Sequence, residues 1–260
     1  MATKLAQKTA LTKPAMRSIA PGNTFDYEDV PTGMEHADRE AFMLPFLQVL
    51  QKLSPQVDKG AHEYIKGASD GDIYNSATGE VYSGQEGVLV LPVRFHHCYT
   101  LWTIREKGGG FKGEESTESD VMRGTTRDEK GRMIRPDGST QVVDTRVHAV
   151  ILLGDDGPTP ALLSMTSTQI KKSRRWMTAM QQIMMEEGGR LPRPLPTLAH
   201  VWKLTTVAER NDKGNWSGWH IEHVGLNEDE IAFSAARAFA KSLEAGSVKM
   251  RTNAQPPEEQ

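Results

Sequence analysis

Between Thr168 and Met177 the chain reads TQIKKSRRWM, which sets Lys171, Lys172, Arg174 and Arg175 beside Trp176. Lysine and arginine neutralise phosphates, and an indole ring offers a surface on which a base can stack. The segment Ser167 to Glu187 reads as a helix, with Ile170, Met177, Met180 and Met184 near one face and Gly188-Gly189 ending it. The four cations then occupy its first two turns, where the helix macrodipole disfavours positive charge. An anionic partner accounts for that placement. A solvated face with Trp176 in the core is the competing account.

A second set of residues interleaves aromatics with bases on stretches of strand character. Phe95, Tyr99 and Trp102 lie near Arg94, Arg105 and Lys107; Trp202 adjoins Lys203; Trp216 and Trp219 follow Arg210 and Lys213. Binders of single strands combine a basic groove with aromatic platforms, each stacked base contributing about 1–3 kcal/mol. Core packing explains any one of these aromatics equally well, and Trp216, flanked by Asn215 and Ser217-Gly218, is the best placed for exposure. Gly108-Gly109-Gly110-Phe111-Lys112 could close over a strand through Phe111 and Lys112, or serve as a plain linker. It does not fit GxxxxGK[ST], so it is no P-loop.

His96-His97-Cys98 raises the question of a metal. On a strand only His96 and Cys98 share a face, zinc needs further ligands, and no CxxC or HxxxH motif supplies them. No metal, no cofactor and no catalytic residue is therefore expected. GxSxG and HExxH are also missing.

These residues need elements to position them. Arg39 to Leu53 has helical spacing interrupted by Pro45. Residues 71–75 and 80–82 flank Ser76-Ala77-Thr78-Gly79 as a hairpin, and 87–93 and 94–106 read as strands. Residues 107–146 hold few core positions and read as a long loop inserted between strands. Strand character returns at 147–153 and 161–165, precedes the basic helix, and returns again at 199–207 and 216–224. Asn227 and the acids after it open a last helix ending near Gly246. Three strands, a helix and two more strands is the order of an OB-fold. The expected fold is α+β, mainly β: an OB-like Greek-key barrel with a helix between strands three and four, added terminal helices and the long insertion. It occupies 36–246, between a disordered basic arm at 1–35 and a flexible polar tail at 247–260.

Composition narrows the setting. The 260 residues carry a net charge of -3, yet 164–213 holds nine bases against four acids, an excess of five. One cysteine excludes a disulfide framework and suits a reducing compartment. No apolar run approaches the roughly 20 residues that span a bilayer, and the basic first residues lack a secretory apolar stretch. A cytoplasmic protein with no membrane partner is expected.

Four runs carry a resemblance: LPFLQVLQKLSPQVDKG, EYIKGASDGDIYNSATGEVYSG, LSMTSTQIKKSRRWM and HVWKLTTVAERNDKGNWSGWHIE. They resemble a bacteriophage family associated with single-stranded DNA binding, similar to the OB-fold proteins of replication and recombination, over roughly 40–245. The resemblance implies cooperative, sequence-tolerant coating of single strands in the infected cytoplasm, with replication or recombination proteins as partners and a homo-oligomer allowed by cooperativity. Such binders often end in an acidic tail with an aromatic tip; this chain ends PPEEQ, without the aromatic. Two rivals stand beside this reading: a phage factor that binds a host protein, and a metal-dependent nuclease.

Overall fold

The computed structural model describes residues 31–34, 44–185, 192–212, 214–248 and 250. A small antiparallel sheet comes first, built from β1 (Leu47–Val49), β2 (Ile73–Asn75) and β3 (Val81–Tyr82) in that order. The expected helix over 39–53 is thus corrected at its C-terminal end, while 39–43 lie outside the described residues. Pro45 offers no N–H to a helix, and its carbonyl instead accepts from Leu162 N at 2.8 Å. Pairing of Leu47 with Asn75 and of Phe46 with Leu162 outweighs the local helical spacing.

The main sheet is a curled, antiparallel half-barrel, and the protein is mainly β. Its spine is two long strands, β4 (Val88–Thr103) and β8 (Thr140–Gly154), paired from Leu89↔Leu153 to Thr103↔Thr140. β-branched and aromatic residues dominate β4, as a half-buried pleated surface requires. Pro92 cannot donate to the ladder, and a bulge follows it before Arg94. The chain between the two spine strands is not a structureless loop. It forms β5 (Phe111–Ser116), β6 (Thr126–Arg127) and β7 (Met133–Ile134), so the insertion expected at 107–146 is corrected to a small folded tip plus the first half of β8. Ion pairs from Glu106 to Lys130 at 2.6 Å and to Arg132 at 3.2 Å, with Arg132 to Asp128 at 2.8 Å, fasten that tip. The two contacts of Glu106 join residues over twenty apart, beyond the reach of a local reading.

β9 (Gly157–Thr166) pairs with β8, and α1 (Ile170–Gln182) follows. A short hairpin, β10 (Met184–Met185) with β11 (Arg193–Pro194), leads to β12 (His200–Asn211) and β13 (Gly214–Leu226). β12 pairs with β13 along its length and with the start of β4 at Val88 to Val90. α2 (Glu230–Glu244) closes the described chain.

Strand alternation splits the sheet into two apolar faces. α1 lies on one, where Trp176 and Met180 pack with Val90, Val150, Leu163, Trp202 and Trp219. α2 lies on the other, burying Ala232, Ala236, Phe239 and Leu243 against Leu91, Val147, Ala149 and Ile151. Those four positions keep helical spacing, and the Asp229 carboxylate caps the start by accepting from Ile231 N and Ala232 N. The segment before β4 packs closely on β12. A methyl group at Gly84 would overlap the Gly71 carbonyl oxygen and the Thr206 hydroxyl, and one at Gly87 would overlap the Leu204 carbonyl.

Candidate nucleic-acid interface

The basic run forms in α1 as expected, one turn shorter at its C-terminal end. Helical spacing turns Ser173, Trp176 and Met180 inward and leaves Lys171, Arg174, Arg175 and Thr178 exposed. No acid stands in the first turn, and no side chain caps the helix. Among the described residues no carboxylate lies within ion-pair distance of Lys171, Arg174 or Arg175. α2 is the internal control: it has Glu230 in its first turn and Lys241 in its last, the arrangement that the macrodipole favours.

Lys172 is different from its three neighbours. Its Nζ lies 2.7 Å from Glu209 Oε1 on β12, and both side chains are mostly buried. Glu209 also accepts from Trp216 Nε1 at 2.7 Å. Burial pushes the Glu209 carboxyl up, but the hydrogen bonds from Lys172 and Trp216 and the Lys172 charge outweigh it, so the carboxylate is held below its usual range. Nearby, the Gln169 amide oxygen accepts from Trp219 N at 3.0 Å. Lys172 therefore ties α1 to the β12–β13 hairpin and has its charge matched internally. Sequence reading missed Glu209 and Gln169, because nothing local marks a carboxylate whose partner lies 37 residues away or an amide whose partner lies 50 away.

Trp176 is corrected from stacking platform to core. Its ring is 2% exposed and stacks on His148 at 4.6 Å, so the face a base would use is already covered. Ser173 Oγ lies 2.8 Å from His148 Nε2 and completes the seat. Trp202 is buried against Trp176, and Trp102 against the Phe111 ring at 5.2 Å; both are likewise corrected to packing roles. Trp219, which follows the same bases, is core as well. Trp216 remains partly exposed, beside the Lys172–Glu209 pair.

Along the α1 face of the spine runs a row that is partly open. Phe95, His97 and Tyr99 alternate on β4 opposite His148, Arg146 and Asp144 on β8. Ring centroids are 6.5 Å apart for Phe95 and His97 and 6.1 Å for His97 and Tyr99. His97 Nε2 is 2.9 Å from Asp144 Oδ1, which also lies 3.5 Å from Arg146 Nε. Tyr99 and Phe95 thus have company that sequence reading did not assign: His97 between them on their own strand, and Arg146 and Asp144 on the strand across.

The other expected bases do not join this surface. Arg94 pairs with Ala149 and Lys203 with Leu89, which puts both on the α2 face, and alternation from Glu209 sends Arg210 the same way. Arg105, Lys107, Phe111 and Lys112 sit on the folded tip, roughly 20 Å along β4 from the His148 seat. The tip from 105 to 127 carries five bases against five acids, so it is no cationic surface. Lys112 Nζ donates to Thr140 Oγ1 at 2.7 Å, and Phe111 is 40% exposed despite its contact with Trp102. Lys213 lies outside the described residues.

Among the described residues no helix is long and apolar enough to cross a membrane. No curated protein and no solved structure matches the chain. A family model for the Pam3 phage gp34-like protein matches residues 15–249, which takes in every element from β1 to α2. The chain belongs to that bacteriophage family.

Proposed function

We propose that the chain is a cytoplasmic, non-enzymatic binder of single-stranded DNA, acting in phage replication or recombination without sequence preference. The observation that carries this reading is the exposed cation face of α1. Lys171, Arg174 and Arg175 stand at the helix end where the macrodipole opposes them, and among the described residues no acid compensates them. An arrangement that isolated stability disfavours is what a phosphate backbone would reward. The partly open row of Phe95, His97 and Tyr99 on the same sheet face supplies rings for stacking, and Trp216 a further one. The strand order supports the reading too. β4, β8 and β9 in succession, a helix, and then a hairpin whose first strand returns to β4 follow the order of an OB barrel.

The test is fluorescence anisotropy of a labelled oligothymidine titrated at several salt concentrations. Three phosphates neutralised by α1 account for about 2 units of the log–log salt slope on a single strand. Replacing Lys171, Arg174 and Arg175 together with alanine is expected to flatten the slope by that amount. An unchanged slope removes α1 from the interface. Incubation with magnesium or manganese should leave the strand intact, and degradation would favour the nuclease reading.

The host-protein reading draws on one observation. Val224, Leu226, Ile231 and Phe233 are exposed apolar side chains within ten residues of chain at the β13–α2 junction. It predicts no anisotropy change at low salt, together with a saturable protein partner.

A further inference from the structure

Pairing of β4 with β5 gathers three metal-ligating side chains on the sheet face opposite the Phe95–His97–Tyr99 row. His96 and Cys98 are two residues apart on β4 and so point the same way. Glu114 on β5 stands across from Thr100, next along that face from Cys98. One ligand atom from each of the three lies within 4.8 Å of the other two, and His96 Nε2 is 3.9 Å from Glu114 Oε2. Around a tetrahedral zinc, bond lengths of about 2.0–2.3 Å place neighbouring donors roughly 3.3–3.8 Å apart. Side-chain adjustments of about 1 Å or less would bring these atoms to such spacing.

We propose that His96, Cys98 and Glu114 form a zinc site with three protein ligands and a fourth position open to water or an external donor. A thiolate with an imidazole selects zinc over magnesium or calcium, which take oxygen ligands. Cys98 forms the buried end of the site, while His96 and Glu114 are partly open, so the ion enters from solvent. What the ion would do follows from β5. Five of its six residues are exposed, and it brings no apolar row to the sheet. Its backbone ladder and the Phe111–Trp102 contact hold it to β4; a zinc adds a bond between the strands themselves. This site is independent of the proposed DNA interface, since it lies on the other face and needs none of the α1 cations.

The experiment uses the full-length, untagged chain freed of metal with a chelator. Zinc is titrated calorimetrically, and cobalt is titrated by absorption as a spectroscopic stand-in. The expected result is one ion per chain and a thiolate-to-cobalt charge-transfer band. Cys98→Ser should abolish the band, and His96→Ala and Glu114→Gln should each weaken zinc by at least the ~10–100-fold typical of lost support around a metal. Glu114→Gln alters a strand-edge side chain, so it tests the site even if Cys98→Ser fails to fold. Zinc should also slow proteolysis in the Gly108–Gly110 loop of the wild type and not of Glu114→Gln. Cobalt bound without the thiolate band overturns the site, and so does zinc affinity unchanged in either His96→Ala or Glu114→Gln.

Discussion

At His148 burial acts first against protonation and the neighbouring Arg146 guanidinium second, and together they hold the imidazole down to about 3. In the unfolded chain the same ring titrates near 6.5. Between these values the unfolded state binds a proton that the native state refuses, so stability is full above about pH 6.5 and falls as pH drops toward 3. The loss is at most about 1.4 kcal/mol per pH unit. His148→Gln keeps a polar partner for Ser173 and removes the titration. Urea unfolding at pH 7 and pH 5 should show a smaller difference in that variant than in the wild type, and an equal difference would assign the acid sensitivity to other groups. At this scale the sequence was legible for charge and poorly legible for aromatics. Lys171, Arg174 and Arg175 are exposed because they are charged, whichever fold surrounds them. Whether Trp176 faces solvent depends on His148, which reaches it only through the tertiary structure, and the setting of Trp216 depends on Glu209, its cross-strand neighbour, being held in turn by Lys172 of α1.

Among the elements, those with a strong local period were readable. The β2–β3 hairpin, both long helices and the β12–β13 hairpin lie where turn residues and spacing put them. Two failed for nameable reasons. β1 is too short to show a period of its own, and the tip strands are held by the ion pairs of Glu106, Asp128 and Arg132 instead of an apolar stripe. The junction between α1 and the β12–β13 hairpin illustrates what such distant contacts contribute. Glu209→Gln would leave Lys172 mostly buried beside a neutral amide. The expected loss is about 1–2 kcal/mol, between the values for exposed and fully buried pairs. Denaturant midpoints of Glu209→Gln and of the double variant with Lys172→Met check this. The double variant should recover part of the loss, because no unmatched charge remains. Equal destabilisation in both would mean that the pair is not the fastening.

In the whole molecule, β4 and β8 carry both halves: α1, α2 and the hairpins gather at one end, the folded tip at the other. Because the two strands stay paired to Thr103↔Thr140, the tip is a long excursion from a hairpin that is already closed. Replacing 104–139 with a two-residue turn should therefore keep the far-UV and near-UV circular dichroism of the remaining fold. The replaced segment includes Val121, whose contact with Leu101 and Val142 would be lost, so a drop in melting temperature is expected without loss of cooperativity. If the proposed interface is on α1, the salt slope for oligothymidine should survive this deletion; a collapsed slope would relocate the binding surface to the tip. The overall class, mainly β with two packed helices, was legible from element order. The partition into an α1 side and an α2 side was not, since that depends on strand register, which no single stretch of sequence encodes.

The close seat of Gly84 against Gly71 and Thr206 reaches beyond this one chain. It makes position 84 a marker of descent with structure intact: a relative that keeps the packing of this segment on β12 has to keep glycine there. One with any larger residue must have moved the segment away from the strand. Drifting family members, in which the cations and aromatics have turned over, can then be sorted by a residue that lies outside the proposed interface.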